Sequence, residues 1–271
     1  MPRLKLTLAY QGTHYSGWQM QRPASIYGTE PSVKKDTGPS NTIQEHLERV
    51  FMRIAGVRLP VHGAGRTDAG VHAEGQVCHV DIPESKITVD WKKALNAYLP
   101  YDIRITGTEW VPGTFHSRRS ARVKCYAYSI WTGKELALPR IKDFVWSAPS
   151  LDLSLMMKAL PHLTGRHDFA SFKNSGTRVV NTQKTIFTID CMAGKVAGLS
   201  CPPEWPVMTF YFTGDGFLKQ MVRNIAGLLV AIGQGKIDCS EIPEIIAAKD
   251  RKALQSACAP PQGLTLMEVL Y

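Results

Sequence analysis

The stretch from Gly63 to Ile82 reads GAGRTDAGVHAEGQVCHVDI. Four glycines, Gly63, Gly65, Gly70 and Gly75, bracket one arginine and one aspartate, Arg66 and Asp68, and a β-like run begins near Gln76. Glycine reaches backbone conformations closed to other residues, so this carboxylate is presented by a shaped loop leading into a strand, not spaced along a helix. Two readings of Asp68 are open. Either the loop holds it as a reactive group, or it hydrogen-bonds its own turn, a common use of aspartate beside glycine. From these residues alone the second reading is favoured.

At 271 residues the chain is long enough for a sizeable core and suggests one large domain or two smaller ones. A composition of 44% hydrophobic and 20% charged residues is that of an ordinary soluble protein. Lys and Arg number 32 against 23 Asp and Glu, a net charge of +9, and the basic residues are dispersed and not gathered into a tail. A folded cationic surface that attracts polyanions follows. The six cysteines, Cys78, Cys125, Cys191, Cys201, Cys239 and Cys258, show no CxxC pair and no compact framework, so reduced thiols in a cytoplasmic protein are expected. MPRLKLTLAY lacks an apolar signal core, and no uncharged apolar run approaches the roughly 20 residues a membrane span needs. A membrane protein is excluded on that reading.

Working outward from the glycine-framed loop, Leu4, Leu6, Leu8 and Tyr10 alternate with polar or small residues as a half-buried strand does. Residues 22–40 carry three prolines, two glycines and no apolar period, which reads as a mobile insertion. Thr42 to Glu45 has the form of a capping box, and Ile43, Leu47, Val50, Phe51 and Ile54 recur at helical spacing, predicting a helix to about Ala55. After the strand from Gln76 to Ile82, a short helix is expected at Asp90 to Tyr98 and a strand at Ile103 to Val111. The second half opens on FHSRRSARVKCYAYSIW, which becomes a strand through Tyr126, Tyr128 and Ile130. A helix follows around Leu151 to Leu163, weakened by Pro161, and strands are expected at Lys184 to Cys191, Pro206 to Thr213 and Leu264 to Leu270. Strands and helices do not alternate as in a doubly wound fold. The expectation is an α+β protein of two similar lobes, 1–110 and 111–271, each a mainly antiparallel sheet with helices on one face, around a central basic cleft.

The segment after Gly216 sharpens the functional reading. Met221, Ile225, Leu228 and Ile232 fall on one helical face, and Val222, Ala226, Leu229 and Val230 cover much of the other. A helix apolar nearly all round is buried, yet Arg223 sits in its middle. A buried guanidinium is costly unless an acceptor meets it. Asp215 or Asp168 would make a structural pair inside the second lobe, whereas Asp68 would place the pair in a cleft between lobes.

Other chemistries find little support. His62, His72 and His79 are not joined by acidic or cysteine ligands at metal-site spacing, and no Walker loop, GxGxxG unit or GxSxG elbow is present. Arg118, Arg119, Arg122 and Lys124, just ahead of Tyr126 and Tyr128, join cations for phosphates to rings on which a base could stack. A solvated basic edge followed by core tyrosines fits that pattern equally well.

Three segments, GAGRTDAGVHA at Gly63 to Ala73, FHSRRSARVKCYAY at Phe115 to Tyr128 and GDGFLKQMVRNIAGLL at Gly214 to Leu229, together resemble the TruA family of tRNA pseudouridine synthases. YSGWQMQ, TIQEHLE, GRHDFASFK and APPQGLTL extend the resemblance nearly end to end. It implies that Asp68 is the catalytic nucleophile, that Arg66 helps open the RNA stem, that Tyr126 stacks on the target uracil and that Arg223 pairs with the aspartate. Arg118, Arg119, Lys124 and Lys173 become substrate-binding candidates. The family uses no metal or cofactor, works in the cytoplasm as a homodimer, and isomerises uridines at positions 38, 39 and 40 of the tRNA anticodon stem-loop. Two departures stand out: residues 22–40 are longer than the family usually carries, and Thr177 to Ile186 has Asn181 and Lys184 where relatives are richer in arginine.

Overall fold

The computed structural model describes residues 1–19, 41–174 and 181–271. The expected insertion at 22–40 lies outside the described residues, as do residues 177–180 of the Thr177 to Ile186 segment.

β1 (Arg3–Tyr10) buries Leu4, Leu6, Leu8 and Tyr10, as its alternation requires. Thr42 caps α1 (Ile43–Ala55) by accepting the Glu45 N–H at 3.4 Å, and Gly56 at φ 78° closes it. β2 (His72–Asp81) starts four residues ahead of the expected Gln76, because Ala73 already pairs with Tyr10 across a bulge in β1. α2 (Trp91–Tyr98), capped by Asp90, packs Trp91 at a tilt against Phe51 of α1 with ring centroids 5.2 Å apart. β3 (Ile103–Val111) ends the first half.

β4 (Val123–Trp131) opens the second half. α3 (Leu153–Leu163) runs through Pro161, which falls in the last turn, where the missing N–H removes a single bond; Asp152 caps the start and Thr164 closes the end on the Leu160 carbonyl. β5 (Gly165–Asp168), β6 (Gln183–Ala193) and β7 (Val207–Gly214) follow, then α4 (Met221–Gly233), α5 (Ile242–Ala248) and β8 (Leu264–Leu270). β5 and α5 carry too few residues for a periodicity to show in the sequence.

One sheet carries these strands in the order β3-β1-β2-β8-β4-β7-β6-β5. All neighbours are antiparallel except β2 and β8, which run parallel with Thr265 opposite His72 and Leu266 opposite Ala73. The last strand of the chain thus stitches β2 to β4. One buried apolar cluster reaches from Leu4 to Val269 and includes Phe51, Tyr126, Phe212 and Leu228. The fold is mixed α+β with a large, mostly antiparallel sheet, and β2, β8 and β4 lie together at its centre.

Candidate active site

The residues between the two-residue strand His62–Gly63 and β2 form the glycine-framed loop. Four of its carbonyls are tied down. Ala64 O accepts from Lys124 Nζ at 2.8 Å, Gly65 O from Gln76 Nε2 at 3.0 Å, Thr67 O from the Trp18 N–H at 3.1 Å and Asp68 O from the Val71 N–H at 3.2 Å. The Thr67 hydroxyl meets the Tyr10 hydroxyl at 2.8 Å, and Gly70 turns the chain at φ 78°, a value that favours glycine. A loop fastened this way presents one side chain in one place.

That side chain is Asp68. Arg223 Nη1 donates to Asp68 Oδ2 at 3.1 Å, and Arg223 Nε donates to the Ala259 carbonyl at 2.7 Å. The side chains are 12% and 22% exposed for Arg223 and Asp68, so the pair is partly open to solvent and not sealed in the core. Oδ1 of Asp68 accepts no hydrogen bond among the described residues. Arg223 is the third residue of α4, not a mid-helix residue, and so reaches the edge of the packed core. The other two carboxylates are engaged elsewhere: Asp215 accepts the Thr185 N–H, and Asp168 caps the turn at 169–172 and pairs with Lys249 at 3.5 Å.

Tyr126, on β4, is 9% exposed and packs edge-on against Phe217 with centroids 5.2 Å apart. A side chain added at Gly65 would point at Lys124 Nζ and the Tyr126 hydroxyl, which puts both beneath the loop. Burial, helped by Tyr10 and Asp68, raises the Tyr126 phenol above its ordinary value, so it stays protonated. Tyr128 is different: fully buried, it donates to the Pro260 carbonyl at 2.7 Å and serves as a core tyrosine.

The basic candidates divide. Arg66, Arg118 and Arg119 are exposed, and their guanidinium groups have no hydrogen bond or ion pair among the described residues. Lys124 turns inward to the loop carbonyl, and burial, with Arg118 and Lys184 nearby, pushes its amine down to about 8. Lys173 is half-buried at the end of the 169–172 turn, with no side-chain partner among the described residues. His79 stacks on His62 with centroids 5.0 Å apart and meets His116 edge-on at 4.8 Å, whereas His72 accepts the Gly12 N–H at 3.0 Å beyond the loop. Among the described residues no group of three or more His, Cys, Asp or Glu side chains converges as metal ligands would.

Sequence reasoning overlooked Gln76, Tyr10, Thr67 and the Ala259 carbonyl. Gln76 carried a signal, an amide inside an apolar strand run, and it is fully buried. The Ala259 contact carried none, since any residue offers a backbone carbonyl.

The family model described as tRNA pseudouridine synthase matches residues 7–118 and 159–271. A tRNA pseudouridine synthase A of Lawsonia intracellularis (strain PHE/MN1-00) is 48% identical over 271 residues, covering all of both chains. The protein of the same name from Nitratidesulfovibrio vulgaris (strain DSM 19637 / Miyazaki F) is 42% identical, again over all of both chains. That of Geobacillus kaustophilus (strain HTA426) is 39% identical over 99% of this chain and 94% of its own.

Proposed function

The chain belongs to the tRNA pseudouridine synthase A (TruA) family, an isomerase family acting on tRNA uridine, and on that premise we propose that it converts uridine to pseudouridine in the anticodon stem-loop of tRNA, in the cytoplasm and as a homodimer. The observation that carries this reading is the ion pair between Asp68 and Arg223, 155 residues apart in sequence and partly open to solvent.

The reaction breaks the C1′–N1 bond, turns the uracil and joins its C5 to C1′. The proton on C5 is lost and one is gained at N1, so the product is an isomer and no water is consumed. The base must first leave its stack, at a cost of a few kcal/mol that binding along a cationic groove offsets. Arg66, exposed at the loop tip, enters the stem where the uridine was. Arg118, Arg119 and Lys173 meet phosphates. Tyr126, protonated and rigidly packed, stacks on the extruded uracil. Asp68 is the nucleophile, acting through the unengaged Oδ1, with Arg223 fixing the carboxylate through Oδ2. Lys124 serves the same site from below by holding the loop.

Tritium release from tRNA labelled at uracil C5 tests the assignment. The unaltered protein should release tritium, and Asp68→Asn should lower the rate by at least about 10³-fold, as expected for loss of a covalent nucleophile. Arg223→Leu should be equally inactive while keeping its far-UV circular dichroism, with a stability loss of about 1–3 kcal/mol from the partners left unmet. Equal release by the unaltered and Asp68→Asn proteins would sink the mechanism.

A further inference from the structure

The loop that presents Asp68 has a second side. A cavity of about 260 Å³ opens against Gly63, Gly65 and Arg66, and neither Asp68, Tyr126 nor Arg223 lines it. Its walls include Trp18, Gln44, His62 and His116, with Arg66 and Arg118 at its border. Trp18 is almost wholly buried and lies directly against the Gly63 backbone, giving the pocket a fixed aromatic wall. His116 Nδ1 accepts the backbone N–H groups of Arg118 at 3.1 Å and Arg119 at 3.3 Å, so its ring proton sits on Nε2 as a donor. The His62 imidazole is exposed, stacks on His79, and makes no side-chain hydrogen bond among the described residues. The Arg118 guanidinium, unpaired among the described residues, beside flat rings and a hydrogen-bond donor matches a phosphate joined to a base better than either alone.

We propose that this pocket is a second nucleotide subsite, taking a ribonucleotide that flanks the reacting one, its phosphate against Arg118 and its base against the rings of His62 and His116. The proposal rests on RNA being the substrate. Gly65 and Arg66 form the partition between the two sites, so one short loop sets the spacing of two neighbouring nucleotides. An RNA seated in both is held on either side of the carboxylate. Position along the strand, and not only the identity of the target base, then decides which uridine reaches Asp68.

The test uses the full chain labelled at its histidines and an anticodon stem-loop RNA as the probe. The Hε1 resonances of His62 and His116, assigned with His62→Ala and His116→Ala, should shift saturably as RNA is added. His62→Trp, at an exposed position where the larger ring fills the pocket without entering the core, should raise KM for tritium release about tenfold with kcat within about twofold, in the range that stacking one base contributes. Unmoved resonances at saturating RNA, or an unchanged KM for His62→Trp, overturns the subsite. Absence of tritium release from the unaltered protein overturns the isomerase reading alone, and the resonances then decide the pocket by themselves.

Discussion

His79 and Asp68 show two ways a polar group is held. His79 is buried beneath His62 and His116, with its Nδ1 accepting the Ser117 N–H at 3.2 Å. Burial pushes its imidazole from the ordinary 6.5 down to about 4, and the charges of Arg3, His62 and His116 add to the shift against the opposing Asp81. The folded chain keeps this ring neutral where the unfolded chain protonates it. Between those two values the unfolded state binds more protons, so stability rises with pH from about 4 to about 6.5 and is lost on acidification through that window. Up to roughly 3 kcal/mol is at stake. Urea midpoints measured across the window should fall steeply for the unaltered protein and less steeply for His79→Phe. Equal slopes would assign the acid loss to other groups. The two residues of the ion pair were more legible than their supports. Asp68 and Arg223 were each conspicuous as charges in an apolar or glycine-rich setting, which a sequence displays. Lys124 read as an RNA contact, because nothing in VKCYAY says that its side chain turns under a loop 60 residues earlier.

At the scale of elements, α4 and the segment that follows it form the second support of the site. Gly227 lies one turn beyond Arg223, and a methyl there would run into the Ala257 carbonyl oxygen. This close approach lets the 257–259 segment lie along the helix, with the Ala259 N–H donating to Arg223 O at 3.2 Å and the Ala259 carbonyl accepting from the guanidinium. Gly227→Ala should therefore cost about 1–3 kcal/mol by overpacking. Because the displaced segment carries the acceptor that orients Arg223, it should also lower the tritium-release rate more than the stability loss explains. A variant that is less stable yet fully active would show that Asp68 alone positions the arginine. Periodicity located most elements here because α1, α4 and β1 each bury one pattern of apolar residues. It said nothing of the parallel contact between β2 and β8, since strand direction depends on which segments meet and not on the alternation within either.

Over the whole molecule, that parallel contact decides how the site is held together. β2 and β8 share only two registered pairs, yet β8 pairs with β4 through six, and the Gly75 backbone lies directly on that of Met267. The same seam is crossed by Lys124 to Ala64, Arg223 to Asp68, and Ser117 Oγ to the His62 carbonyl at 2.6 Å. The apolar cluster beneath runs without a break from β1 to β8. Two halves joined only by a polar cleft would open independently, but halves that share a sheet and a core lose both at once. Hydrogen exchange under mild denaturant should therefore give β1 and β7, on opposite sides of the seam, the same opening free energy and the same denaturant dependence. If β1 opens at clearly lower cost than β7, the halves are separable units, and the spacing of Asp68 from Arg223 would then vary with a motion between them. A common opening energy makes the site's geometry a property of the folded sheet itself, so RNA binding has only to move the RNA.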